Sequence, residues 1–180
     1  MRPSAFRPFA FLMVGVLLCG AVLRAQGGAP QTTNFAPLDY FNGKCARCHG
    51  NYGSFYGAGF AKGKTDAQLA QVVQEMCEGP AQAPLSPHDL EVLTAWHRAL
   101  RDGKPFVASV HFENSVLNGE VTPGSTVSLE TTTGEQSVVP VNGHKWSAGL
   151  PEGVQLAHVR VASGGQSVEL DPRTAPYAPK

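Results

Sequence analysis

Five consecutive residues concentrate the chemistry of this chain: Cys45-Ala46-Arg47-Cys48-His49. Two thiols three positions apart, followed at once by an imidazole, form the C-x-x-C-H pattern of covalent haem attachment. Each thiol can add to one vinyl group of a single haem, which gives covalently bound haem c, and His49 can bind the iron as the proximal ligand. Without the histidine, the pattern would indicate a redox dithiol or half of a zinc site. With the histidine present, the alternative is a pair of structural cysteines that happen to precede it. Zinc needs two further ligands at short spacing, and Cys77 is the only other cysteine downstream.

An export signal precedes this motif. Residues 1–23 contain two arginines, an apolar run from Phe9 to Cys19 and no acidic residue, which is typical of a secretory signal. We expect residues 1–25 to be cleaved after Ala25. The alternatives are a retained anchor, although the run is short for a bilayer core about 30 Å thick, and a lipidated Cys19. All three place the folded part in the periplasm or on the outer face of the cytoplasmic membrane.

The charge of the chain excludes several classes of partner and activity. The whole chain has 14 basic and 14 acidic residues, and removing Arg2, Arg7 and Arg24 with the signal leaves 11 basic against 14 acidic. A mature chain with this negative excess argues against nucleic acid as a partner, because nucleic acid requires a basic face.

The sequence has no catalytic triad order, phosphate-binding loop or dinucleotide fingerprint. We therefore expect no enzymatic activity and no small-molecule substrate.

Helical periodicity runs through the first half of the mature chain, up to Gly103. A short amphipathic helix is predicted from Pro37 into the motif. Residues 51–63 are rich in glycine and aromatic residues without a period, which indicates a loop. Apolar residues at 3.6-residue spacing predict one helix between Thr65 and Gly79, and a second between Ser86 and Asp102.

After Pro105 the period of the sequence changes to two. Short alternating runs separated by turn residues indicate an all-β sandwich. The runs span 107–112, 126–130, 137–139, 154–161 and 167–170. We therefore predict an α+β chain in two domains, with an all-α domain over 33–104, a β-sandwich module over 105–172 and a tail over 173–180.

The helical half resembles a small class I cytochrome c domain. Such domains begin with Phe-x-x-x-Cys-x-x-Cys-His-Gly, and the matching residues here are Phe41, Cys45, Cys48, His49 and Gly50. Their closing helix has a Leu-Ser-x-x-acidic-Leu-x-x-Leu-x-x-aromatic pattern, matched by Leu85, Ser86, Asp89, Leu90, Leu93 and Trp96, with Trp where Tyr is usual. The resemblance implies a cytochrome c fold whose first and last helices cross, so that Phe41 meets Leu93 and Trp96. The C-terminal half resembles bacterial immunoglobulin-like modules in its turn pattern, which implies an Ig-like fold and no activity.

The sixth iron ligand has several candidates. Met76 is the only methionine beyond the predicted signal, and a thioether ligand suits electron transfer because it fills the site and raises the potential. In the cytochrome family this ligand lies just before the closing helix, where residues 79–84 of this chain contain no methionine. Packing in the core is therefore the alternative for Met76. The sixth ligand would then be His88 or His97, or the sixth position would be open.

Aromatic residues near the motif are expected to form the haem pocket. Phe41, Tyr52, Phe55 and Trp96 are the predicted packing residues, and Tyr56 is expected to cover a haem edge with its neighbours. Cys77 is expected to behave as a small buried hydrophobic residue.

These features predict an exported monohaem c-type cytochrome that passes single electrons between a redox donor and an acceptor. Its β module would dock it to a membrane respiratory or photosynthetic complex. One alternative is a haem-based sensor or ligand-binding protein with an open sixth iron position. Another is an accessory subunit in which the haem is one relay of a larger complex.

Overall fold

A computed structural model describes residues 28–180 of the chain. The predicted signal lies outside the described residues, and so do its cleavage site and the alternative lipidation site at Cys19. Within 28–180, helices come first and antiparallel strands follow, so the α+β layout predicted from the sequence is confirmed. No helix in this range is both long enough and apolar enough to cross a membrane.

Four α-helices form the helical part of the described chain. They are α1 (Pro37–Lys44), α2 (Ala46–His49), α3 (Asp66–Glu78) and α4 (Pro87–Asp102). A short 3-10 helix at Asn51–Gly53 follows α2 directly. The loop from this turn to α3 brings the aromatic residues that follow the motif back towards α4.

Local sequence determines where α3 and α4 begin and end. Thr65 Oγ1 accepts the backbone N–H of Gln68 at 3.2 Å, and Gln68 Oε1 accepts that of Thr65 at 2.9 Å. This reciprocal capping box satisfies two backbone donors at the start of α3. Ser86 caps α4 by accepting the backbone N–H of Asp89 at 3.1 Å. Gly103 ends α4 in the left-handed conformation, with φ of 64°, which glycine adopts without steric cost.

Nine strands form two antiparallel sheets in the described chain. They are β1 (Val107–Glu113), β2 (Val116–Val121), β3 (Thr126–Thr131), β4 (Gln136–Val139), β5 (Val141–Asn142), β6 (Lys145–Gly149), β7 (Leu156–Ser163), β8 (Gln166–Leu170) and β9 (Tyr177–Ala178). The first sheet has the order β5-β6-β2-β1-β9, and the second β4-β3-β7-β8. Buried residues of both sheets form one cluster, with Leu117 and Trp146 from the first and Val127 and Val159 from the second. The β part is therefore a two-sheet sandwich with its own core.

The helical part packs against the first sheet. Val107 belongs to the sandwich core and Ala108 to the cluster of the helical part, because successive strand residues point to opposite faces of a sheet. The rings of Trp96 and Phe106 meet edge to face with centroids 5.8 Å apart, and the Tyr177 hydroxyl donates to Glu91. The change from helix to strand falls next to Gly103, as predicted, while separate folding of 33–104 and 105–172 stays a prediction.

Candidate haem site

The motif is held by α1 and α2, which meet at Cys45. The backbone N–H of Cys45 donates to the carbonyl of Phe41 at 2.7 Å, so the motif continues directly from α1. The backbone N–H groups of Cys48 and His49 both donate to the Cys45 carbonyl at 3.1 Å. Both motif thiols are free, with Cys45 half-buried and Cys48 exposed. Two thiols and an imidazole therefore lie within one short helical turn.

An open cavity of about 170 Å³ adjoins this turn, and the two motif cysteines and His49 line it. The remaining lining residues are mostly apolar: Phe41, Tyr56, Phe60, Leu69, Val72, Val73, Met76, Cys77, Pro80, Ala81 and Leu93, with Lys44 and His97 as polar members. Cofactor sites are typically concave and apolar, with a few polar groups in fixed places. These residues fit haem c, because apolar walls suit a flat apolar ring and the attachment groups lie together on one wall.

The rings around His49 form a compact cluster. The imidazole of His49 lies 5.0 Å from the ring of Tyr56 and 6.5 Å from that of Phe41, measured between centroids. Tyr56 stacks on Phe60 at 4.0 Å, and the ring of His97 lies 5.5 Å from Phe41 and 6.1 Å from Tyr56. We call these five residues the ring cluster. His97 therefore shares the surroundings of His49, whereas Met76 lies on α3 among aliphatic residues.

Trp96 lies outside the cavity, although the sequence predicts it as a pocket residue. It is 1 % exposed and packs against Phe106 of the β part. Neighbouring positions of an α-helix point about 100° apart, so Trp96 and His97 cannot face the same way. His97 lies on the side of α4 that faces the cavity, and Trp96 lies on the side that faces the first sheet.

Tyr52 and Phe55 also lie away from the cavity. Tyr52 has a left-handed backbone with φ of 54°, and its hydroxyl lies 2.9 Å from Nδ1 of His144 in the β part. Phe55 is 74 % exposed. His88, an alternative iron ligand, is exposed and does not line the cavity. Its Nε2 lies 3.2 Å from the Thr33 carbonyl.

The geometry of the thiols bears on what the motif can do. Burial, with Cys77 nearby, raises the pKa of the Cys45 thiol to about 11, and burial also raises the pKa of Cys77. A redox dithiol needs a lowered thiol pKa, because the thiolate is the nucleophile. Among residues 28–180, moreover, the cysteines and His49 form no group of three ligand atoms close enough to share a metal ion. Both observations disfavour the redox dithiol and zinc interpretations.

His97 is held in one tautomer by its hydrogen bonds. Its Nδ1 lies 2.8 Å from the Leu93 carbonyl, which can only accept, so Nδ1 carries the hydrogen. Its Nε2 lies 3.4 Å from the Tyr56 hydroxyl and accepts from it. Burial lowers the pKa of His97 to about 4. The imidazole is therefore neutral at physiological pH.

The stability of the haem-free chain should depend on pH through His97. Between pH 6.5, the ordinary pKa, and pH 4, the unfolded chain binds a proton at His97 that the native chain does not. The free energy of unfolding should therefore fall as the pH decreases through this window, by about 3 kcal/mol in total. Urea unfolding at several pH values measures this slope. His97→Leu should flatten it and His111→Leu, at a half-exposed surface position, should not; equal slopes in all three proteins would contradict the assignment.

The β part fixes the start of α1 through Glu120. Ala36, at the N-cap of α1, has no side chain that can cap the helix. Glu120 takes this role from β2, where its Oε2 accepts the backbone N–H of Leu38 at 2.7 Å and its Oε1 accepts that of Asp39 at 3.1 Å. Carboxylates at helix N-termini stabilise unpaired backbone N–H groups. Because α1 leads directly to Cys45, Glu120 connects the β sandwich to the position of the motif.

Further contacts close this junction around Glu120. Its carboxylate is 2 % exposed, and burial raises its pKa. His144 Nε2 lies 3.3 Å from Glu120 Oε1 and 2.8 Å from Asp39 Oδ1, and Lys145 Nζ lies 2.7 Å from Asp39 Oδ2. The sequence analysis did not predict this group. No local pattern could reveal it, since Glu120 and Leu38 are 82 positions apart.

Comparisons with known proteins found no matching family model, no matching curated protein and no matching solved structure. The assignment of the chain to the class I cytochromes c is wrong, and of the resemblance to an immunoglobulin-like module only the all-β C-terminal part is supported. The described chain has four α-helices and two antiparallel sheets, and no family model matches it. The error has a physical cause, because the matches in the closing helix are a helix cap and an amphipathic spacing, which unrelated helices share. The helical N-terminal part and the all-β C-terminal part do not depend on the family assignment.

Proposed function

We propose that this chain is an exported electron carrier that holds one haem c covalently through Cys45 and Cys48. The observation that supports this most is that both thiols and His49 lie on the wall of one apolar cavity. Haem, when bound, supplies an iron that gains and loses one electron. His49 is the proximal ligand in this proposal. The rings of Phe41 and Tyr56 pack beside that imidazole.

Met76 would be the side chain that provides a second ligand to the iron. It lines the cavity from α3, which contributes no member of the ring cluster around His49. His97 belongs to that cluster, so it lies on the side of the cavity that His49 already occupies. A ligand from α3 can approach from a different direction, and a sulfur ligand favours electron transfer over exchange of small ligands.

The β part leaves the cavity free for a redox partner. All lining residues lie between Phe41 and His97, and none comes from the β part. We propose that the cavity edge exchanges electrons with a donor and an acceptor protein, while the sandwich docks the carrier to a membrane respiratory or photosynthetic complex outside the cytoplasm. This division of roles explains why a small electron carrier contains a β sandwich in addition to its helical part.

A haem-based sensor remains the second candidate because of one observation. Met76 is 43 % exposed, so the residue proposed as axial ligand lies at the rim of the cavity and is not clamped in its interior. A labile sixth position would let a small ligand such as CO replace the sulfur.

Spectra of the haem-loaded protein with and without CO distinguish the two functions. A carrier with Met76 bound should show near-infrared magnetic circular dichroism typical of thioether ligation and no rapid change with CO. Met76→Ala should lose that signal, bind CO rapidly and have a lower midpoint potential. Val72→Ala, which trims the same wall without removing sulfur, should keep the wild-type signal. Rapid CO binding by the wild-type protein would favour the sensor, and a Met76→Ala protein with an unchanged spectrum would refute the ligand.

A further inference from the structure

The ring cluster contains a polar pair that packing alone does not require. His97 is 5 % exposed, in a cavity wall that is otherwise mostly apolar. A buried imidazole is costly unless both nitrogens find partners. The carbonyl of Leu93 satisfies Nδ1 at 2.8 Å, and the hydroxyl of Tyr56 satisfies Nε2 at 3.4 Å. Each residue of the pair therefore restricts the rotation of the other.

Tyr56 connects this pair to the proposed iron ligand. Its ring lies 5.0 Å from the imidazole of His49, tilted by 45°. Phe60 stacks on the same tyrosine ring at 4.0 Å and 16°, so Tyr56 is held by stacking as well as by its hydroxyl. The ring of Tyr56 therefore limits the orientations open to His49.

We propose that His97 and Tyr56 form a positioning pair that orients the imidazole of His49 and sets the polarity of its surroundings. The inference rests on the proposed function, since it concerns the residue that would bind the iron. Neighbouring groups that orient a metal-bound histidine also tune the metal. His97 acts here through Tyr56, and neither residue is itself an iron ligand.

The hydrogen bond can be tested first in the haem-free chain. Nitrogen-15 NMR of the imidazoles distinguishes the two neutral tautomers. We expect His97 to be protonated at Nδ1 and unprotonated at Nε2, and Tyr56→Phe to shift its Nε2 resonance. A His97 protonated at Nε2, or an Nε2 resonance unaffected by Tyr56→Phe, would overturn the pair whether or not haem binds.

The effect on the iron is tested in the haem-loaded protein by its midpoint potential and its electron paramagnetic resonance. Tyr56→Phe removes one hydroxyl and keeps the ring, so a purely packing role predicts no change. We expect it to raise the potential, because a less polar cavity stabilises the charged oxidised iron less. His97→Leu should shift it in the same direction. The double variant should shift it by no more than the larger single shift, because the two residues act as one unit.

Tyr52→Phe is the matched control, because it removes a tyrosine–histidine hydrogen bond of 2.9 Å that lies outside the cavity. Its potential and resonance should equal those of the wild type. Wild-type values in Tyr56→Phe, or shifts that add in the double variant, would overturn the pair while the proposed function stands. A protein that attaches no haem would instead refute the proposed function, and the tautomer measurement would still decide the hydrogen bond.

Discussion

Replacing both motif cysteines by alanine should abolish covalent attachment of haem, and replacing either one should weaken it. Cys45 and Cys48 both line the cavity, and each is proposed to form one thioether bond. The measurement is the fraction of haem that stays with the chain after denaturation in acid acetone. It requires protein exported from a cell that attaches haem to C-x-x-C-H motifs.

Cys77→Ala is the control for that experiment. Cys77 lines the same cavity and is 2 % exposed, so its thiol is near the others but outside the motif. Its variant should keep all of its haem through the extraction. Retention of haem by the double motif variant, or loss of it in Cys77→Ala, would show that attachment does not follow the motif.

Glu120→Ala should cause the largest loss of stability of any single change at the junction of the two parts. It removes two backbone hydrogen bonds at the start of α1 and leaves their donors without a partner, and it takes from His144 one of its carboxylate neighbours. Losing one partner of a buried charged group is costly, and we expect a decrease of about 3 kcal/mol in the free energy of unfolding. Glu120→Gln, which keeps one acceptor oxygen, should lose less. Urea unfolding of the haem-free chain measures both.

Glu113→Ala is the matched control on the neighbouring strand. Glu113 also contacts a histidine, at 3.2 Å from His111, but its side chain is 68 % exposed. Exposed pairs of this kind contribute at most about 1 kcal/mol. If Glu113→Ala and Glu120→Ala had equal effects, Glu120 would not be the anchor of α1.

The sequence predicted those features that depend on nearby residues. Thr65, Ser86 and Gly103 mark helix ends through local hydrogen bonds and backbone preference, and the structure has the helices at those positions. The change of period after Pro105 likewise predicted β1, β3, β4, β7 and β8, whereas β2, β5, β6 and β9 were not predicted. The C-x-x-C-H motif needs only local chain geometry, and it lies on one short turn, as its spacing requires.

Other features depend on contacts between distant residues. The choice between Trp96 and His97 as the cavity residue depends on which side of α4 meets the β part, and Phe106 decides it. Tyr52 faces away because His144 lies within hydrogen-bond distance of it in the folded chain. The cap at Glu120 joins β2 to the start of α1 across 82 positions of sequence. Periodicity in one sequence contains none of this information.

The intact mass of the exported wild-type protein tests the central proposal most directly. After denaturation, the chain should be heavier than its sequence by one haem, and proteolysis should recover that added mass on a single peptide containing Cys45 and Cys48. The same material should show a haem spectrum that cycles between two states with a reductant and an oxidant. A chain that has the mass of its polypeptide alone, produced where other C-x-x-C-H proteins receive haem, would contradict the proposal.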